Sequence, residues 1–158
     1  RRKHTKEVLM TRITDFLMNL RRMMKLHEAL LKDICEEYGL TLIEANIISF
    51  LYSNPGRDTA RDIVELRMLS KGNVSQAVEL LIQKSLLKRT PDQADRRIIH
   101  LTLLPAADPI TKAIEDSRRQ FQKELFSGFT KEERQLYYQL NGRIIENTKA
   151  AVKRRELL

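Results

Sequence analysis

One cysteine, Cys35, stands in a chain of 158 residues. A lone thiol excludes a disulfide framework within the chain and any Cys-x-x-Cys metal knuckle, and it suits a reducing cytosol. Three histidines beside it leave no spaced quartet for a structural zinc. No run of eighteen apolar residues occurs, so no helical span and no membrane partner are expected. The opening RRKHTKEVLM has charge but no apolar stretch behind it, unlike a secretory signal. It begins on Arg rather than Met, which suggests a trimmed start. Four prolines and five glycines are too few for a long flexible linker, and no repeats or low-complexity segments are visible. A nucleophile–base set, a phosphate loop and a metal quartet are all missing. The chain therefore does not read as an enzyme, and no catalytic residue, metal or cofactor is expected.

What is present is charge and helical periodicity. Lys plus Arg number 29 against 21 Asp plus Glu, a net charge of +8. That excess favours a polyanionic partner, nucleic acid above all, although ordinary solubility also produces basic chains. With 42% hydrophobic residues, the chain is long enough for one domain or two small ones sharing a core.

From about Lys6 to Tyr38, Leu9, Ile13, Phe16, Leu20, Met23, His27, Leu30 and Ile34 recur at heptad spacing. A second stripe runs through Leu17, Met24, Leu31 and Tyr38. Two apolar stripes exceed what one surface helix needs, so one of them calls for an outside partner. Gly39 ends the helix. Thr41 with Glu44 forms a capping box for a nearly all-apolar helix over 42–53, the predicted buried centre of the domain, carrying Ile43, Ala45, Ile47, Ile48, Phe50, Leu51 and Tyr52. Asn54-Pro55-Gly56 stops it. Asp58 or Thr59 caps a short helix to about Leu66, with Ala60, Ile63, Val64 and Leu66 inward. Arg67-Met68-Leu69 is a turn. Late in the chain, Asp108-Pro109 reads as cap plus first helical residue. Ile110, Ile114, Ser117, Phe121 and Leu125 mark that helix, and Gly128 breaks it. Thr130 with Glu133 caps a last helix to about Lys153, striped by Leu136, Leu140, Ile144 and Ala151. The terminal KRRELL reads as a frayed tail. Terminal helices with wet apolar seams are unusual on a monomer, and a two-fold dimer is the economical solution.

Residues 70–103 are the most informative. SKGNVSQAVELLIQKS is a short amphipathic helix capped by Ser70, with Val74, Ala77, Val78, Leu81 and Ile82 on one face. Ser70, Lys71, Asn73, Ser75 and Gln76 lie on the other. LLKRT, PDQADR and RIIHLTL then read as strand, turn and strand. Asn and Gln amides can pair adenine bidentately, which makes Asn73 and Gln76 the better base readers; Lys71, near the helix start, suits phosphate. Gly72 lowers helix propensity by about 1 kcal/mol against Ala, which hints at close backbone approach. Lys88 and Arg89 precede the turn, and Arg96 and Arg97 close it. A helix for the major groove beside a cationic hairpin is the pattern of a winged helix-turn-helix. Arg57, Arg61 and Arg67 flank the two short helices as backbone clamps or solvated cations, some self-paired with Asp58, Asp62 and Glu65.

On these residues the chain resembles the MarR family of bacterial regulators (multiple antibiotic resistance regulator), over about residues 6–150. The wing pattern stands as Pro91-Asp92-Gln93-Ala94-Asp95-Arg96-Arg97, followed by Leu101-Thr102-Leu103, and the helix order agrees. The resemblance implies a mainly α fold with a small β-hairpin wing: a winged helix-turn-helix core, 39–104, flanked by dimerisation helices in 1–38 and 105–158. It implies a cytoplasmic homodimer, probing double-stranded DNA with its recognition helices at a pseudo-palindromic operator, more often as a repressor. Asp95 would orient Arg97 into the minor groove, with Arg96 as second choice. DNA-binding residues are then Ser70, Lys71, Asn73, Ser75, Gln76, Lys88, Arg61, Arg96 and Arg97. A small apolar or aromatic effector is also implied, in a cleft that His27 and the Met10, Met18, Met23, Met24 and Met68 cluster would suit as well as plain packing does. One departure stands out. Leu104-Pro105-Ala106-Ala107-Asp108-Pro109 replaces the family's usual sequence, and two prolines four apart argue against a smooth helix start at 105.

Two rival readings remain: a sequence-tolerant architectural DNA binder, and a helical protein–protein adaptor whose charge is incidental. Cys35 beside Glu36 and Glu37 is expected to be inert rather than an oxidant sensor, because neighbouring carboxylates oppose the thiolate.

Overall fold

The computed structural model of the chain describes residues 2–67 and 69–155, with side chains from residue 12 onward. Leu9 of the expected apolar stripe, Met10 of the methionine cluster, Met68 of that cluster and of the expected turn, and the last three residues of the tail lie outside the described side chains or residues. The order is α1 (Arg2–Tyr38), α2 (Leu42–Ser53), α3 (Ala60–Arg67), α4 (Lys71–Gln83), β1 (Leu87–Pro91), β2 (Ile99–Leu103), a 3-10 turn (Pro105–Ala107), α5 (Asp108–Leu125) and α6 (Lys131–Arg154). Two compact units divide it, Arg1–Phe121 and Gln122–Leu158.

In the first unit α2 is the centre, as its composition predicts. Ala45, Ile47, Ile48 and Phe50 are buried, joined by Ile63 of α3, Val74, Ala77, Val78 and Leu81 of α4, Leu87 and Leu101 of the hairpin, and Ile110 and Ile114 of α5. Local signals fix the element ends. Gly39 takes φ +64 and Leu40 N–H bonds the Cys35 carbonyl at 2.9 Å, so a Schellman turn ends α1 and tucks Leu40 into the core. Thr41 and Glu44 cap α2 reciprocally, both bonds at 3.2 Å. Glu44 is itself fully buried, and its other oxygen takes Lys84 Nζ at 2.6 Å. Lys84 also donates to the Gly39 carbonyl at 2.8 Å, so one ammonium ties the α1–α2 corner to the end of α4. Thr59, not Asp58, caps α3, exchanging bonds of 3.2 Å with Asp62.

Three expectations need correction. Leu66 and Tyr52 are exposed, at 53% and 43%, and Ala60 is exposed too. A two-turn helix touches the core mainly at one point, here Ile63 with Val64 beside it. Asp108 is not a cap but is already helical, at φ −57 and ψ −44. The chain coils from Pro105 in 3-10 geometry, where Asp108 N–H satisfies the Pro105 carbonyl. Pro109, which has no N–H to give, then costs that carbonyl nothing. Helix α1 also begins at Arg2, ahead of Lys6.

Strands β1 and β2 pair antiparallel with Leu87 opposite Leu103 and Pro91 opposite Ile99. Along α1 burial falls away from the C-terminus. Leu31 and Ile34 are buried, His27 and Leu30 half-buried, and Leu20, Phe16 and Ile13 are 42%, 51% and 55% exposed. In the second unit α6, capped by Thr130 and Glu133, buries no residue and exposes Leu136, Leu140, Ile144 and Ile145. Phe126 packs there against Phe129, Tyr137 and Tyr138, with ring centroids 5.2 to 5.5 Å apart.

Candidate nucleic-acid interface

Helix α4 divides cleanly. Val74, Ala77, Val78 and Leu81 are buried, while Lys71, Gly72, Asn73, Ser75, Gln76 and Glu79 are exposed. The 3.6-residue period makes this split, and the outward strip is the polar one. Ser70 Oγ accepts Asn73 N–H at 3.2 Å, so it serves first as the cap, with its own O–H left to donate outward. Among the described residues nothing lies within 4 Å of a Cβ placed at Gly72, so packing within the chain does not require a glycine there.

The wing turn is built by two carboxylates. Asp92 Oδ2 accepts the amides of Ala94 and Asp95, each at 2.9 Å. Asp95 accepts Arg97 N–H and Nε at 3.0 Å through Oδ1, and Nη2 at 2.9 Å through Oδ2. The Asp95–Arg97 pairing implied by the resemblance is therefore present, in bidentate form, and it points a 90% exposed guanidinium along a fixed direction. Arg96 is exposed beside it.

Arg61 joins these two parts. It lines a groove of about 300 Å³ with Lys71 and Ser75, and another of about 580 Å³ with Arg97, Ile98 and Thr59. Its charge is partly neutralised by Glu65 at 2.9 Å. The fold thus brings Arg61, Lys71, Ser75 and Arg97 onto one surface. Lys88 is different. It shares the pleat face of Thr90, His100 and Thr102, opposite to that of Leu87, Arg89 and Leu101. Arg89, on the inner face, pairs with Glu79 of α4 at 2.9 Å, a link between wing and helix that sequence reading missed.

A second concave site lies in the same unit. Leu20, Met23, Met24, His27, Glu28, Asn46, Arg67 and Phe121 surround a cleft of about 470 Å³. Arg67, left open by sequence between a backbone clamp and a solvated cation, lines this cleft. Its guanidinium is half-buried, 5.8 Å from the centroid of the Phe50 ring. His27 stacks edge-on to Phe121 at 5.4 Å. Burial first, then repulsion from Arg67 and Arg118, lowers the His27 pKa; burial and Arg118 lower that of Arg67. Arg118 is held by Ser49 and Ser53 at 3.0 and 2.8 Å. The lining thus holds one guanidinium, Arg67, and one carboxylate, Glu28, among mainly apolar side chains, with the imidazole of His27 shifted toward its neutral form. Cys35 is buried, and its thiol pKa is pushed up by burial and then by Glu44, so it is a poor thiolate.

Helices α2 to α4 with the β1–β2 hairpin constitute a winged helix-turn-helix, a DNA-binding architecture. Residues 38–98 match the family model described as MarR family. YsmB of Bacillus subtilis (strain 168), an uncharacterized HTH-type transcriptional regulator, is 23% identical over 121 residues, covering 77% of this chain and 82% of that protein. A MarR-family transcriptional regulator from Silicibacter pomeroyi superposes with a TM-score of 0.71 at 22% identity, over 85% of this chain and 88% of that one. Bordetella bronchiseptica BpsR, whose DNA binding is regulated by 6-hydroxynicotinic acid, does so with a TM-score of 0.63 at 23% identity, over 82% and 98%. Over residues 38–98, the winged helix-turn-helix region, the chain is similar to the MarR family. The relatives it matches are described as transcriptional regulators. None of the helices among the described residues is long and apolar enough to cross a membrane.

Proposed function

We propose that this protein is a cytoplasmic repressor that grips a pseudo-palindromic operator as a homodimer. Residues 1–38 and 105–158 carry dimerisation, and 39–104 carry DNA. Two copies of α4 enter successive major grooves, centred one helical turn or ~34 Å apart. Asn73 and Gln76 read base edges; Ser70, Lys71, Ser75 and Arg61 hold phosphates; Arg97, backed by Arg96, enters the minor groove, and Lys88 meets flanking backbone. The observation that carries this reading is the single surface on which Arg61 joins the polar strip of α4 to the Asp95-held Arg97. The exposed apolar stripes of α1 and α6 support the dimer.

The cleft of Met23, Met24, His27, Arg67 and Phe121 is where a small aromatic or apolar effector binds and releases the operator. Arg67 is the lining group that would take a carboxylate on that effector, and BpsR responds to an aromatic acid. Footprinting on DNA upstream of the protein's own gene, with light scattering in parallel, tests the main reading. Paired protections about 10 bp apart from a dimer are expected. Uniform protection would favour an architectural binder, and a lone subunit in solution would end the operator geometry.

A further inference from the structure

Besides the Arg89–Glu79 pair, a second side chain fastens the wing to the rest of the DNA-binding module, and it is not among those assigned to DNA. His100 of β2 has Nδ1 2.7 Å from Asp58 Oδ1 and Nε2 2.8 Å from Asp92 Oδ1. Asp58 lies in the loop between α2 and α3, where its carbonyl also takes Leu101 N–H at 2.7 Å. Asp92 opens the wing turn. A single imidazole therefore bridges the helical body and the turn that carries Arg97.

The two contacts are not compatible with every protonation state. A neutral imidazole has one N–H. With both ring nitrogens at hydrogen-bond distance from carboxylates, the neutral ring would set a lone pair against one of them. Only the imidazolium donates to both. Asp58 from the α2–α3 loop and Asp92 from the turn are the ionised groups bonded to the ring. Its cross-strand neighbour Thr90 is neutral. Arg57 with Asp62 on the α3 side, and Asp95 with Arg97 on the turn, are paired among themselves.

We propose that His100 is the positioning residue of the wing: its imidazolium, bonded to Asp58 and Asp92 together, fixes the turn that presents Arg97, and loss of its proton opens one side of the clamp. The Asp58 hydrogen bond, then that of Asp92, raises the His100 pKa above 6.5. His100, followed by the turn amides, holds the Asp92 carboxyl down at about 2. A folded-state pKa raised above the unfolded one means the clamp is complete below about pH 6.5 and is lost as pH climbs through the folded value. The wing therefore loosens on the alkaline side. DNA phosphates beside it would push the transition further that way.

The consequence for DNA rests on the wing contact proposed above, so the test separates the two. Imidazole NMR of the full chain, from about pH 6 to about pH 9, follows His100, while hydrogen exchange follows the amides of 92–98. Fluorescence anisotropy with a labelled mixed-sequence duplex of about 30 bp, room for a two-half-site footprint, follows affinity over the same range. His100 should titrate above its free value, and Asp58→Asn should lower that midpoint. Wing protection should fall through the same midpoint once intrinsic exchange is allowed for. Duplex affinity should fall several-fold more steeply with pH than for His100→Arg, which keeps two N–H donors and its charge. A His100 midpoint at or below the free value, or wing protection indifferent to it, overturns the clamp. Matching pH profiles for wild type and His100→Arg overturn its link to DNA. If wild type binds no duplex while titration and protection behave as stated, the wing contact falls and the clamp stands.

Discussion

Replacing Arg97 by alanine offers the sharpest measurement on the proposed interface, because the structure isolates what is lost. The side chain is 90% exposed and supports no core residue; its partner is Asp95, two positions away. Stability should hardly change. Each cation that neutralises a phosphate on duplex DNA adds about 0.9 to the slope of log affinity against log salt. One wing per subunit then lowers the slope by about 0.9, and two wings of a dimer by about 1.8. Over a fourfold rise in salt, from about 50 to about 200 mM, wild type should lose about twelve-fold more affinity than the variant. Asp95→Asn is the informative companion. It keeps the cation and removes both the fork that aims it and a negative charge near DNA. Its slope should stay near that of wild type while the ratio of specific to non-specific affinity falls, since shape reading needs an aimed guanidinium. Anisotropy titrations at four or more salt concentrations decide it. A guanidinium standing farther from phosphate than a Debye length, about 10 Å at 0.1 M, would be screened. An unchanged slope for Arg97→Ala would therefore remove the wing from the interface.

Asn73→Ala or Gln76→Ala should relax preference at a single base pair by about 1–3 kcal/mol with little change in salt slope, read by competition with singly substituted operators; full discrimination in both would move base reading elsewhere. Gly72→Ala should stabilise α4 by up to about 1 kcal/mol in urea melts yet weaken operator binding, because only an outside molecule can need the open space over that glycine; unchanged affinity contradicts close approach. Lys84→Met should cost about 3 kcal/mol, since it strands the fully buried Glu44, whereas Glu44→Gln should cost about 1 kcal/mol, since Lys84 is 35% exposed and can turn to water; equal midpoint shifts would refute that asymmetry. A charge at Leu20 or Leu140, exposed at 42% and 46%, should dissociate the dimer without unfolding the subunit, and an intact dimer by light scattering would reject the seam.

What sequence could read was local. Thr41 with Glu44, Thr130 with Glu133 and Gly39 in its turn all lie within a few residues of their partners, and each was legible from residue type and spacing, while Asp95 beside Arg97 came from the family resemblance. The family wing pattern worked for the same reason. What stayed hidden pairs residues that only packing brings together. Glu44 meets Lys84 across 40 positions, Asp58 meets His100 across 42, and Ser49 meets Arg118 across 69. Glu44 had a sufficient local explanation as a cap, so nothing in the sequence asked for its second partner. The place of Arg67 was hidden likewise: beside short helices a cation reads as a backbone clamp or a solvated charge, and only the fold turns it over Phe50 and into the cleft. The one available hint for His100 was its place in a β-strand among apolar residues, two positions from an exposed isoleucine. That pattern names a half-buried residue but not its partners.

The burial gradient along α1 is the strongest physical reason to expect a second copy of the chain. Its last turns are anchored by Leu31, Ile34 and Cys35, and the same periodic stripe continues outward through Leu20, Phe16 and Ile13 with 42% or more of each exposed. A helix that needed to cover only its own core could end its apolar pattern where burial ends. Leaving a Leu, Ile or Phe side chain in water forgoes about 1.5–3 kcal/mol each, and the stripe holds the heptad spacing that packs one helix against another. Helix α6 repeats the arrangement with Leu136, Leu140 and Ile144, again exposed and again at helical spacing. In the proposed homodimer each stripe would pack against a second copy across a two-fold axis, which would hold a pair of α4 helices and wings at one separation. That separation is the quantity an effector in the Arg67–His27 cleft would have to change. It is also why the proposed effector should lower operator affinity while leaving the affinity of a single subunit's α4 and wing for a half-site nearly untouched.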